Sequence, residues 1–170
     1  MKKNNLVIKK IEKIAYKNEQ QYGGCAQSVI GAFKEILGSK ISNDVFKAAT
    51  GLAGGIGLTG NSCGALTAGV MVLSTFIGRE YDNFSDPKRI RFKTYELVRE
   101  LITCFKGEYG SVNCYDIHRK IMGKAYNLWD KKQYKEFLDA GGHDNKCPSV
   151  CGNSAKWTIE ILLKEGLLVN

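Results

Sequence analysis

The sequence predicts an all-α fold, a single-domain helical bundle of about six to seven helices with a glycine-rich loop at a cysteine site. Three observations predict it. Apolar residues recur at three- and four-residue spacing in one segment after another. Glycines and good capping residues punctuate those segments. The 170-residue chain, 44% hydrophobic, has only two prolines and no Pro/Ser/Gly-rich linker, so one core and one domain are expected.

The chain opens with MKKNNLVIKKIEKIAYKNEQ, which is lysine-rich and lacks the apolar h-region of a secretory signal. A cytoplasmic protein is therefore expected. Next, Ala26, Val29, Ile30, Phe33, Ile36 and Leu37 mark an amphipathic helix that stops at Gly38, with Cys25 at its opening. Ser42, a good N-cap, starts a short helix through Val45, Phe46 and Ala49 toward Leu52. The glycine loop GLAGGIGLTG follows, able to take positive φ and to let backbone approach a ligand.

Cys63 then opens a helix over 63–77, whose apolar run from Ala65 to Ile77 is broken by Thr67 and Ser74. That run is shorter than the ~20 residues a bilayer span needs, so it reads as a buried core helix and no membrane span is expected. Asp86-Pro87 predicts the start of a helix through Leu97, Val98, Leu101, Ile102 and Phe105, with Cys104 near its end. In NCYDIHRKIMG, Cys114, Ile117, His118 and Ile121 share one face of a short helix ending at Gly123. DKKQYKEFLDAGG reads as a lesser surface helix, and the last helix has Pro148 in its first turn and Cys147 at its cap.

Six cysteines in a reducing compartment are poor candidates for permanent disulfides. Four of them, Cys25, Cys63, Cys114 and Cys147, each fall at the amino end of a predicted helix. Unpaired amides and about half a positive charge there favour thiolate over thiol. Such a set suits either an anionic metal–sulfur cluster or nucleophilic thiols.

Cys104, one turn after Leu101, reads as core. Cys151, four residues after Cys147, is balanced between burial and a place at the site. His118 reads as a helix-face histidine and His143 as a loop residue. Either is a weaker candidate to replace a thiolate as metal ligand, His143 ahead of His118. GLTGNSC lacks the GKS/GKT ending of a P-loop, and Trp129 and Trp157 read as packing residues.

The net charge of +8 is spread over residues 1–20 and short lysine clusters near 88–93 and 131–135. That reads as solvated faces, suited to an acidic redox partner or an anionic substrate, with no specific nucleic acid.

YGGCAQSVIGAF, GLAGGIGLTGNSCGALTAGVMVLS, SVNCYDI and NKCPSVCGNSA together resemble the C_GCAxxG_C_C family of redox-active proteins, over roughly residues 20–165. The resemblance implies four key cysteines, which map onto Cys25, Cys63, Cys114 and Cys147. It sets off residues 1–19 as an added basic helix ahead of a redox domain at 20–170. In the family a glycine usually stands three residues after the alanine of the CGA motif; here Ala68 holds that place and Gly69 follows, which shifts close helix packing by one position.

A similar cysteine arrangement in the non-haem part of split-Soret cytochromes favours an iron–sulfur cluster. The expectation is therefore a cluster held by those four thiolates, assisted by Cys151 or His143, with Gly54, Gly55 and Gly64 along the cofactor, for electron transfer or redox sensing. A site open on one side invites a second copy of the chain as cover, a homodimer. Two competitors remain at this point: a metal-free thiol–disulfide protein, and a zinc-stabilised interaction module. Whether the chain is an oxidoreductase component is left open.

Overall fold

A computed structural model of the chain describes residues 2–168. Met1, Val169 and Asn170, the outer ends of the two expected units, lie outside the described residues. Among the described residues there are eight α-helices, no strand, and one isolated antiparallel bridge, Ser62 with Asn113. The fold is the all-α bundle expected, with one helix more because the basic N-terminal segment is itself a long helix.

That helix, α1 (Lys2–Tyr22), runs past the expected boundary at 19/20 and packs lengthwise on the last helix and against α2 (Cys25–Leu37). Ile11 and Ala15 on its inner face are fully buried. The turn into α2 uses Gly23 and Gly24 at φ 65° and 73°, a left-handed pair that only glycine adopts cheaply. Gly38 at φ 60° ends α2, its N–H donating to the Lys34 carbonyl. Ser42 caps α3 (Asn43–Ala48) by accepting from the Val45 amide at 3.2 Å.

The centre is α4 (Gly64–Ile77), which packs against α2, α5 and α8. Its expected shift of close packing is visible at Gly69, where a Cβ would lie 2.6 Å from Thr158 Oγ1 and 2.7 Å from Leu101 Cδ2. Among the described residues no helix is long and apolar enough to cross a membrane.

α5 (Ile90–Tyr109) begins later than Asp86-Pro87 predicts. Asp86 at φ 50° and Arg89 at φ 54° make a turn first, closed by the Arg89 amide on the Asp86 carbonyl. The Asp86 carboxylate still caps, reaching forward to accept from the amides of Ile90 (2.7 Å) and Arg91 (3.1 Å). A left-handed aspartate is not legible from the Asp-Pro pair, which by itself favours proline at the first helical position.

α6 (Cys114–Met122) ends at Gly123, α7 (Lys131–Asp139) lies on the surface, and α8 (Cys147–Lys164) closes the core. Pro148 sits in the first turn of α8 as expected. Ser154 of α8 donates to the Ala65 carbonyl at 2.6 Å, tying α8 to the first turn of α4. Cys104, expected in the core, is only half-buried on α5.

Candidate functional site

The amino ends of α2, α4, α6 and α8 meet at one end of the bundle. Two of them are held together by the Ser62–Asn113 bridge: the Cys63 amide donates to the Val112 carbonyl (2.8 Å) and the Cys114 amide to the Asn61 carbonyl (2.7 Å). Two cysteines 51 positions apart are thereby fixed side by side.

The glycine loop leads into the Ser62 side of that bridge. Residues 54–58 are all left-handed, at φ 59°, 77°, 63°, 59° and 62°, including the branched Ile56 and Leu58. Each non-glycine in that region costs roughly 1–2 kcal/mol, so the surroundings must hold it. They do so through Gly60 N–H to Gly54 carbonyl (3.0 Å), Asn61 N–H to Gly55 carbonyl (3.1 Å), and Trp129 Nε1–H to the Gly57 carbonyl (2.9 Å).

Of the three glycines expected along a cofactor, Gly54 lines the cavity described below. Gly64 lies against the Cys25 sulfur, 2.5 Å from where its own Cβ would be. Gly55 does not line the cavity; a Cβ there would lie 2.5 Å from the Asn61 nitrogen, so its role is to let the loop fold back on itself.

Cys25, Cys63, Cys114 and Cys147 line one cavity of about 350 Å³. Cys25 and Cys114 are the first residues of α2 and α6, and Cys63 is the N-cap of α4. Cys147 differs slightly from the expected cap: a π turn, Gly142–Lys146, leads straight into it, and its amide already donates to the Gly142 carbonyl. Cys151, one turn further along α8, is fully buried, faces the Cys25 carbonyl at 3.7 Å and does not line the cavity.

Both histidines line the cavity. His118, buried at 2% exposure, has its Nε2 3.5 Å from the Cys114 sulfur and 3.8 Å from the Cys147 sulfur. His143 instead turns Nδ1 to Glu19 at 3.0 Å.

Glu19 is a site residue that the sequence reading does not single out. It is buried, lines the cavity, and also accepts from Ser28 Oγ at 3.0 Å. The signal for it is spacing: Ile11, Ala15 and Glu19 follow one another at four-residue steps down the buried face of α1, so a carboxylate ends an apolar stripe. Trp129, read as a packing residue, is 72% exposed at the cavity's edge while its indole nitrogen holds the loop.

Cys25 and Cys147 are half-buried, Cys63 and Cys114 buried. Burial pushes all four thiols up, with added repulsion from Glu19 on each and from neighbouring cysteines on Cys25, Cys114 and Cys147. The expected opposing effect is present but smaller. The amides of Leu66 and Ala65 face the Cys63 sulfur without forming a full capping bond, and the Gly54 amide favours the charged form of Cys25. Without a cation the four thiols are neutral, and the helix ends do not make them thiolates.

A bound metal inverts that balance, because coordination deprotonates a thiol outright. Among the described residues no three His, Cys, Asp or Glu side chains converge so as to hold a single metal ion. The four cysteines nevertheless line one cavity. A cavity walled by four thiols, with amides facing two of them, suits a group larger than one ion.

A family model described as "Putative redox-active protein (C_GCAxxG_C_C)" matches residues 24–161. The chain belongs to the C_GCAxxG_C_C family. All four cavity cysteines lie within the matched span, whereas Glu19 lies outside it. None of the curated proteins and none of the solved structures matches this member of the family.

Proposed function

We propose that this C_GCAxxG_C_C protein binds an iron–sulfur cluster through Cys25, Cys63, Cys114 and Cys147 and serves electron transfer or redox sensing. The observation that carries the reading is the cavity of about 350 Å³ into which four separate helix starts deliver one cysteine each. When bound, the cluster would supply one-electron chemistry. The protein's part is to give up four thiol protons, to face amides of Ala65, Leu66 and Gly54 toward two of the sulfurs, and to restrict water.

The edge of the cavity fits a docking partner. Trp129 and Tyr134 line the cavity yet stay exposed, beside exposed Lys131, Lys132 and Lys135. Aromatic anchors with basic neighbours favour an acidic redox protein as electron partner. A second copy of the chain is the competing occupant, read out as oligomeric state in solution.

The metal-free thiol–disulfide reading has less support, because burial raises these thiols where a nucleophile needs a lowered pKa. The test is anaerobic reconstitution with iron and sulfide of alanine variants at each of the six cysteines. Loss of cluster in Cys25, Cys63, Cys114 and Cys147 variants, with Cys104 and Cys151 variants loading normally, is the expected pattern. Equal loss in Cys63→Ala and Cys104→Ala would refute the ligand assignment.

A further inference from the structure

His118 is buried, and one of its two ring nitrogens has no partner among the described residues. Its Nδ1 makes no hydrogen bond among the described residues, and its ring is packed between Phe137 at 5.4 Å and Tyr126 at 6.1 Å between centroids. Its Nε2 points at two sulfurs on two different helices, Cys114 of α6 at 3.5 Å and Cys147 of α8 at 3.8 Å. These are distances of N–H···S contacts.

The unpartnered nitrogen decides the tautomer. A neutral imidazole carries its one proton on either Nδ1 or Nε2. On Nδ1 that proton would be a buried N–H with no acceptor, whereas a bare Nδ1 lone pair is the less costly omission. The proton therefore belongs on Nε2, between the two sulfurs. A metal-ligating histidine would need the opposite arrangement, with Nε2 on the metal and Nδ1–H donating to an outer partner, and no such partner is present among the described residues.

We propose that His118 is a positioning residue that donates one shared Nε2–H hydrogen bond to the sulfurs of Cys114 and Cys147, and so sets the reduction potential of the group they hold. This rests on the iron–sulfur reading above. A donor to ligand sulfur withdraws electron density from it and favours the reduced state, so its presence raises the potential.

The test compares reconstituted wild type with His118→Leu, which keeps bulk without a donor, and His118→Gln, whose amide nitrogen reaches as far as Nε2. The readouts are iron and sulfide per chain and the midpoint potential. Iron and sulfide should match wild type in both variants. The potential of His118→Leu should fall by at least the equivalent of a tenfold change in the reduction equilibrium, about 59 mV for one electron, and His118→Gln should return most of it.

His118→Asn, whose shorter amide cannot reach the sulfurs, should behave as His118→Leu does and serves if the leucine variant does not fold. An unmoved potential in folded, loaded Leu or Asn variants overturns the proposal. So does loss of iron in folded variants, which would make His118 a ligand. A wild type that takes up no iron and sulfide overturns the cluster reading itself, an outcome distinct from either.

Discussion

Gly64→Ala is the smallest change that tests how the site is assembled. A Cβ at residue 64 would stand 2.5 Å from the Cys25 sulfur, 2.7 Å from the Leu52 carbonyl oxygen and 3.3 Å from the Ala53 Cα. Two of those three neighbours are backbone, so a rotamer change cannot relieve the clash. Either Cys25 leaves the cavity or the chain at 52–53 moves off α4. Overpacking of this kind costs about 1–3 kcal/mol. The helix-propensity gain of alanine, at most about 1 kcal/mol in a helix interior, is smaller still at a first helical position.

At about 2–4 °C per kcal/mol for a chain of this size, thermal unfolding should fall by roughly 2–12 °C. Cluster loading should fall with it, because the displaced atom is a proposed ligand. Gly51→Ala is the control, since a Cβ there meets nothing within 4 Å and the position needs no positive φ. It should be neutral or raise stability by about 0.4–1 kcal/mol. A Gly64→Ala protein with unchanged unfolding temperature and full iron content would refute the close approach of α4 to Cys25.

Ile56→Gly should stabilise the protein by about 1 kcal/mol, read by thermal or urea unfolding, because it releases a half-exposed branched residue from φ 63°. A loss of stability would mean that the isoleucine side chain matters more than its backbone strain. Metal uptake should release protons: with all four thiols raised and neutral near pH 7, each proton displaced makes apparent affinity rise tenfold per pH unit, up to about 10⁴ in total. A pH-independent affinity would show thiolates already formed. Asp86 gives an acid-limb test. Covering by its own turn raises its pKa, but the amides of Arg91 and Ile90 and the Arg91 guanidinium outweigh that and hold it below its ordinary 3.8. Its stabilisation is complete above that ordinary value and is lost as pH falls through the depressed one. Asp86→Ala should therefore unfold at lower temperature at neutral pH and show a flatter decline below about pH 4. Parallel curves for the two proteins would refute the cap.

The parts of the fold that depend on neighbours in the chain are legible in the amino-acid sequence alone. Gly38 and Gly123 end helices where expected, Ser42 caps, and the cysteine positions at helix starts follow from those boundaries. What the sequence hides depends on contacts across the fold. The left-handed run through Ile56 and Leu58 contradicts local preference and is held by Asn61, Gly60 and Trp129.

Glu19 is tied to His143, 124 positions away, and in the sequence it looks like one more charge in a lysine-rich helix. The place of His118 beside two sulfurs follows from how α6 and α8 pack. The four-residue step from Cys114 to His118 is visible in the sequence; Cys147 on its other side is not. The raised thiols have the same origin, since helix-end electrostatics can be read from sequence and burial cannot.

The most direct measurement is an ultraviolet–visible spectrum of anaerobically purified protein, with iron, acid-labile sulfide and zinc assayed on the same sample. Broad absorption near ~400 nm with iron and sulfide in matched amounts is the expected result. A colourless protein that carries zinc, or one that stays colourless after reconstitution with iron and sulfide, would contradict an iron–sulfur site in this cavity.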